Sequence, residues 1–185
     1  MWDPVPSVLP WTVVVLATLV AACTDLASRR IPNMLTGPVL LLGLVHALWM
    51  GGVEELSDTL AGCALLTLPY ALLFVFAHGG AGDAKLMGAI GAWLGVASGT
   101  VVLVSVMLSG MVLGLGLVVV RRRLGSVLTN LYTMVSGLCW ALARRRLSEG
   151  RALMPAVRQM ETMPYGVAIF AGTCIAAGGT FVWHP

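Results

Sequence analysis

The chain has 185 residues, of which 11 are Lys or Arg and 8 are Asp or Glu, giving a net charge of +3. Charged residues make up 10% of it, against roughly 25% in an average soluble domain, while apolar residues reach 58% and mean hydropathy is +0.93. This balance excludes a soluble globular fold, which would lack the charges to cover its surface, and a net charge of +3 is too slight to argue for nucleic acid; lipid must solvate much of the chain.

In chain order, the opening Met1-Trp2-Asp3-Pro4 lacks the basic region of a cleaved signal peptide, so the first apolar run, 9–27, reads as a retained helix. It holds one ionisable residue, Asp25. Further runs follow at 35–50 and 59–77. The stretch 86–120 contains no charge, and as one helix would be about 52 Å long, far beyond a ~30 Å hydrocarbon core. Ser98-Gly99-Thr100 is the expected break, giving spans 84–98 and 101–120, and a last run covers 165–182. The reading is an all-α integral membrane protein of six transmembrane helices, forming a single membrane-embedded domain over 1–185.

With the N-terminus outside, the inner segments are 28–34, 78–85 and 121–163. All 11 basic residues then fall on one face: Arg29, Arg30, Lys85, Arg121, Arg122, Arg123, Arg144, Arg145, Arg146, Arg151 and Arg158. Asp3, Glu54, Glu55 and Asp58 fall on the other. The positive-inside rule favours this N-out, C-out threading. Residues 124–143 are long enough to span, but spanning would split the two arginine triplets across the membrane. Ser126, Thr129, Asn130, Thr133 and Ser136 alternate at helical spacing with Leu124, Leu128, Leu131, Val135, Leu138 and Leu142, which fits a cytoplasmic amphipathic helix between the fifth and sixth spans. It is either a docking surface or a membrane-hugging linker.

Two acids lack an easy place. Asp25 lies in the last turns of the first span, and Asp83 follows His78-Gly79-Gly80-Ala81-Gly82 at the start of the fourth. A carboxylate in a bilayer must be neutralised, paired or hydrated, so each is a functional candidate. Both sit at the cytoplasmic boundary, on different helices at one depth. Two aspartates meeting in a partly desolvated cleft cannot both ionise cheaply, so one keeps its proton. The ionised member can take a proton from water while the other hydrogen-bonds a substrate carbonyl, which is general acid–base peptide hydrolysis without metal or cofactor. Simpler roles stay open. Asp25 and Arg29 are spaced for a local ion pair, Asp83 could cap its helix, and the glycines could merely allow a tight turn.

Gly80-Ala81-Gly82-Asp83 is a GxGD motif continuing into Ala84-Lys85-Leu86, Asp25 is followed by Arg30-Ile31-Pro32-Asn33, and Pro164-Tyr165-Gly166 precedes the last span. Together, and in this order, they resemble the type IV prepilin peptidases over 11–97 and 163–180. The resemblance implies an aspartic endopeptidase that cuts prepilins or pseudopilins at the cytoplasmic face of the bacterial inner membrane, with Asp25 and Asp83 as the catalytic dyad. Its partners would be pilin precursor helices within the bilayer, with pilus assembly proteins beyond them. Gly80, Gly82, Lys85, Arg30, Pro32, Asn33, Pro164, Tyr165 and Gly166 would bind substrate or support the site. The larger members of the family carry a methyltransferase region with CxxC pairs. Here no CxxC occurs and the first span starts within about ten residues, so methylation is not expected, and the layout resembles the short form of tight-adherence (Flp-type) pilus systems.

Pro32 is expected to stop the first helix. Pro164 and Gly166 would either free backbone groups for an extended substrate or act as an N1 proline and a packing glycine. Lys85 reads as an anchor or as an orienter of the dyad, and His78 as a water-facing residue or a neighbour tuning Asp83. Gly91/Gly95 and Gly110/Gly114 have the spacing of close helix packing. Trp49 and Trp183 read as interface residues. The four cysteines, at 23, 63, 139 and 174, suit apolar packing better than a metal site. The two acids are expected within direct or water-bridged reach, or separable by a rigid-body movement of the first or fourth span. Rival functions are a small proton-coupled transporter and a non-catalytic scaffold for pilus assembly.

Overall fold

The computed structural model describes residues 8–77, 80–120 and 165–183, which are helical apart from 29–32 and 80. The helices are α1 (Val8–Ser28), α2 (Asn33–Ala77), α3 (Ala81–Val120) and α4 (Tyr165–Trp183). The chain divides into two compact units, residues 1–111 with 164–185, and residues 112–163. The first holds both aspartates; of the second, 112–120 at the end of α3 are described. The expected interfacial segment 121–162 lies outside the described residues.

Three of the helices, α1 to α3, are long and apolar enough to cross a membrane. At ~1.5 Å per residue, α2 and α3 run to about 68 and 60 Å, enough for two crossings each of a ~30 Å core. Each is broken once. Gly52 (φ 64°, ψ −141°) separates 33–51 from 53–77, and Gly95 (φ 64°, ψ −164°) separates 81–94 from 96–120. Backbone of this kind is essentially restricted to glycine.

The second break corrects the expectation that Ser98-Gly99-Thr100 would turn the chain. Those residues remain helical, with the Thr100 hydroxyl donating to the Val96 carbonyl at 2.7 Å. The turn falls at Gly95 because Asp58, from the neighbouring half of α2, accepts a bond from the Val96 N–H at 3.2 Å and so caps the new helix. The same carboxylate occupies the space a Cβ at position 95 would need. Likewise, the expected connection at 51–58 shrinks to the single residue Gly52, with helix resuming at 53.

Between α1 and α2 the turn is also short. Arg29 adopts φ 52°, a left-handed conformation costing a non-glycine residue roughly 1–2 kcal/mol, and its N–H donates to the Asp25 carbonyl at 2.8 Å. This closes α1. Pro32 then opens α2, its carbonyl accepting from Leu35 N–H at 3.0 Å and from Thr36 N–H at 3.4 Å. Helix α1 thus closes at Arg29, before Pro32 is reached, so the proline starts the next helix and is not what stops the first.

Contacts fix the relative directions of the segments. Trp11 meets Phe181 edge-on (6.5 Å) while Asp25 meets Gly166, so α1 and α4 are antiparallel. Asn33 bonds Lys85 and Val39 bonds Trp93, so 33–51 runs parallel to 81–94. Gly62 lies on Gly91 and Gly95 while Thr67 lies on Gly88, so 53–77 runs antiparallel to 81–94. Gly110 meets Tyr165 and Gly172 meets Val106, so 96–111 and α4 are antiparallel.

The core is built from Trp11, Val14, Leu66, Leu86, Met87, Ile90, Val102, Val106 and Ile169. Large apolar side chains such as Leu41, Val45, Leu68, Phe74, Val104 and Leu108 are exposed, the outward-facing surface that lipid would solvate. Fully buried Thr18 and Thr173 satisfy their hydroxyls on their own helices, on Val14 and Ile169 carbonyls at 2.9 and 2.7 Å. Trp49 is 84% exposed near Gly52, as an interface residue would be.

Of the two paired-glycine spacings, Gly91/Gly95 does bring backbones together. A Cβ on Gly62 would meet the Gly95 carbonyl carbon at 2.5 Å. Gly110 packs on Tyr165, whereas Gly114 has nothing within 4 Å among the described residues. Gly62→Val is therefore expected to destabilise the protein in detergent by about 1–3 kcal/mol, the usual cost of overpacking, seen as a lower thermal midpoint. Gly178→Ala, in open space, is expected to leave the midpoint unchanged or slightly raised.

Candidate active site

The described basic side chains gather at one end of the bundle, and three of the described acids lie at the other. Glu54, Glu55 and Asp58 follow the Gly52 break, and Asp58 reaches the Gly95 break at the same end. Arg29, Arg30 and Lys85 lie at the other end, together with Asp25 and Asp83. The end of α1, the start of α2, the start of α3 and the start of α4 all meet there.

Asp25 is 7% exposed although it lies three residues from the end of α1. Its Oδ2 accepts a buried hydrogen bond from the Gly166 N–H at 2.8 Å. That N–H is one of the first-turn donors of α4 that have no partner within their own helix. A Cβ at 166 would stand 2.9 Å from Asp25 Cβ and 3.0 Å from Oδ2, so the approach requires glycine. This corrects the expectation that Gly166 would offer its backbone to an extended substrate: the amide is already held by Asp25, and the glycine also packs on Ala21. Pro164 and His78 lie outside the described residues.

Asp83 is half-buried in the first turn of α3. Its N–H donates to the Gly80 carbonyl at 3.2 Å, so Gly80 takes the capping position in place of the Asp83 side chain. The Asp83 carboxylate folds back over Gly80, where a Cβ would stand 2.6 Å from its Oδ2. Gly82 faces the first inter-helix turn instead; a Cβ there would meet Ile31 Cβ at 3.0 Å. Both glycines of the motif permit close approach, and in both cases the approaching group belongs to this chain.

The two carboxylates lie within electrostatic reach of one another. They are held from opposite sides. Lys85 Nζ donates to Asn33 Oδ1 at 2.8 Å across the start of α2 and α3, and with Ile31 on Gly82 this fastens the Arg30-Ile31-Pro32-Asn33 segment to the Asp83 turn. Lys85 thus has a specific partner besides any role as an anchor. Arg30 is exposed, and its carbonyl accepts from the Ser28 hydroxyl at 3.4 Å; it is not drawn to either acid.

Tyr165, the first residue of α4, lies edge-on to Tyr70 with ring centroids 5.9 Å apart, and its hydroxyl sits against Gly110. Tyr70 was not picked out among the candidate residues. It is 5% exposed, and Asp83 lies within its electrostatic reach. A neutral phenol in the apolar run 59–77 passes for a core aromatic in the sequence; the signal that sets it apart is its buried oxygen. Among the described residues, the buried side-chain oxygens without a well-formed hydrogen bond are Tyr70 Oη and Ser109 Oγ. No three His, Cys, Asp or Glu side chains among the described residues group as a metal site would require.

The arrangement offers two carboxylates from separate helices, one buried and one half-buried, at the end of an apolar bundle. Chemically it is suited to moving protons to and from a bound water and a polar substrate. The sequence model of the type IV leader peptidase family matches residues 12–119. The prepilin leader peptidase/N-methyltransferases of Aeromonas salmonicida and Aeromonas hydrophila are each 34% identical to the chain over 122 residues. That match takes in 62% of this chain and 40% of each relative, so the chain corresponds to well under half the length of these relatives. No solved structure matches it.

Gly166→Ala is expected to push Asp25 away from the α4 amide. The loss of a buried bond to a carboxylate should lower stability by about 1–3 kcal/mol, and a lower thermal midpoint in detergent is the measurement. An unchanged midpoint would mean that the two helix ends part without cost.

Proposed function

The chain belongs to the type IV leader peptidase family, and from that premise we propose that it is an aspartic endopeptidase which removes the leader of prepilins or pseudopilins, with Asp25 and Asp83 as its catalytic pair. The observation that carries this reading is the meeting of the two acids, 58 positions apart by their numbers (83 − 25), at one end of the bundle within electrostatic reach. The proposal concerns peptide cleavage and no methyl transfer, and the substrate is taken to be of the Flp type.

The chemistry follows from the pair. One carboxylate is ionised and accepts a proton from water as the water oxygen bonds to the scissile carbonyl carbon. The other is protonated and gives its proton to the carbonyl oxygen, yielding a neutral tetrahedral diol. On collapse, the first carboxyl returns its proton to the peptide nitrogen as the C–N bond breaks, and a diol hydroxyl reprotonates the second. Both acids end as they began, and neither metal nor covalent intermediate is needed.

Six spans are proposed, with the two breaks at Gly52 and Gly95 as turns on the outer side and the N-terminus outside. The alternating directions of the helical segments support this threading, as does the gathering of Arg29, Arg30 and Lys85 at the dyad end. It puts the acids at the cytoplasmic face of a bacterial inner membrane. A pilin precursor's apolar helix would lie in lipid beside the enzyme, with its scissile bond at headgroup depth where water enters. Pro32, Asn33 and Lys85 then support the site from the α2–α3 side, and Tyr165 and Gly166 from the α4 side. No observation favours the transporter or scaffold readings.

Co-expression with an Flp-type pilin precursor tests the proposal, with cleavage followed by the change in precursor size. Asp25→Asn and Asp83→Asn are each expected to slow processing at least about a hundredfold, the scale of lost general acid–base catalysis. Normal processing by both variants would reject it.

A further inference from the structure

Tyr70 is a buried polar group at the dyad end for which the dyad chemistry has no use. It follows Pro69 inside α2 and is 5% exposed. Its hydroxyl makes no hydrogen bond of acceptable geometry among the described residues, although the Tyr165 phenol approaches it and Asp83 lies within electrostatic reach. A buried donor without a partner is costly, and a native structure that keeps one calls for an explanation. Phenylalanine would fill the same space at no such cost, so packing accounts for the ring and leaves the oxygen unexplained.

The location is informative. On one side of Tyr70 is Tyr165, whose neighbour Gly166 holds Asp25. Asp83 also lies within electrostatic reach. The hydroxyl is therefore fixed by burial and by an edge-to-face ring contact, within electrostatic reach of Asp83 and one residue away from the amide that holds Asp25, with the Tyr165 phenol as its one nearby polar neighbour on the α4 side. Ser109 Oγ is the other buried oxygen left unpaired among the described residues. An O–H donor held in place before the substrate arrives is the arrangement that stabilises charge developing on a carbonyl oxygen, since nothing must reorganise at the moment of reaction.

Building on the peptidase reading, we propose that Tyr70 is a further catalytic residue, whose hydroxyl donates a hydrogen bond to the scissile carbonyl oxygen as that oxygen gains negative charge. The phenol keeps its own proton throughout; the proton that reaches the oxygen comes from the carboxyl pair. The bond strengthens from ground state to transition state, so its effect falls on kcat and little on KM.

The test is Tyr70→Phe in the full-length protein, assayed on a pilin precursor in detergent or vesicles. The expected result is a fall in kcat of about a hundredfold or more, with KM changed less than about twofold. Both limbs of the pH–rate profile should stay where they are. A peptide bearing a hydroxyl-substituted carbon in place of the scissile carbonyl should lose affinity in step with kcat. The thermal midpoint should hold or rise, since the variant removes an unpaired buried hydroxyl. Wild-type kcat, a loss confined to KM, a displaced pH limb (which would make Asp83 the acceptor) or a lowered midpoint would each overturn the proposal. The two readings separate in one assay. Tyr70→Phe at full rate beside inactive Asp25→Asn and Asp83→Asn defeats only the role of Tyr70, whereas active Asn variants defeat the peptidase reading itself.

Discussion

The hydrogen bond from the Gly166 amide to the Asp25 carboxylate is the constraint on which the dyad end depends. It joins residues 141 positions apart, ties the last turns of α1 to the first turn of α4, and provides a buried acid with a backbone donor. A helix start has spare N–H groups and a weakly positive end, and an acid near a helix end needs both. The absence of a side chain at 166 lets the backbones come close enough for the two needs to meet. Asp83 is held differently, by a tight turn over Gly80 and by the packing of Gly82 on Ile31. One acid is buried and fixed from another helix, while its counterpart is half-buried and aimed by its own turn.

Much of this was legible in the sequence, and the reason is physical. Charge is so scarce in the chain that each ionisable residue in an apolar run carries information, and subtracting those that face water leaves Asp25 and Asp83. The glycine-rich approach to Asp83, the Arg30-Ile31-Pro32-Asn33 segment and Gly166 were each visible as local pattern. Their partners were not. That Lys85 would seek Asn33, and that Gly82 would be filled by Ile31 from within the chain, depends on pairings between distant helices that spacing does not encode.

The turn in α3 is instructive in the same way. Ser98-Gly99-Thr100 carries the local composition of a break, yet these residues stay helical and Gly95 turns instead. Thr100 satisfies its hydroxyl on its own helix, so a small polar cluster need not interrupt a helix surrounded by apolar neighbours. The decisive residue is Asp58, on another segment, which supplies the acceptor for Val96. Tyr70 escaped attention for a related reason. A lone tyrosine in a hydrophobic run looks like an ordinary core aromatic until its oxygen is seen to lack a partner.

The fastenings at the dyad end fall into two groups, and their grouping has a mechanical consequence. Asp25 is pinned to α4, whereas Ile31 and Asn33, only a few residues later, are pinned to the start of α3. Between these anchor points the chain passes through Arg29 in its left-handed conformation. One short turn thus separates the fastening of the Asp25 helix end from that of the segment packed on the Asp83 turn. Tyr165 crosses that divide, its ring on Tyr70 and its hydroxyl against Gly110, so the two sets of fastenings are tied to each other and the separation of the acids is set by the whole four-helix junction.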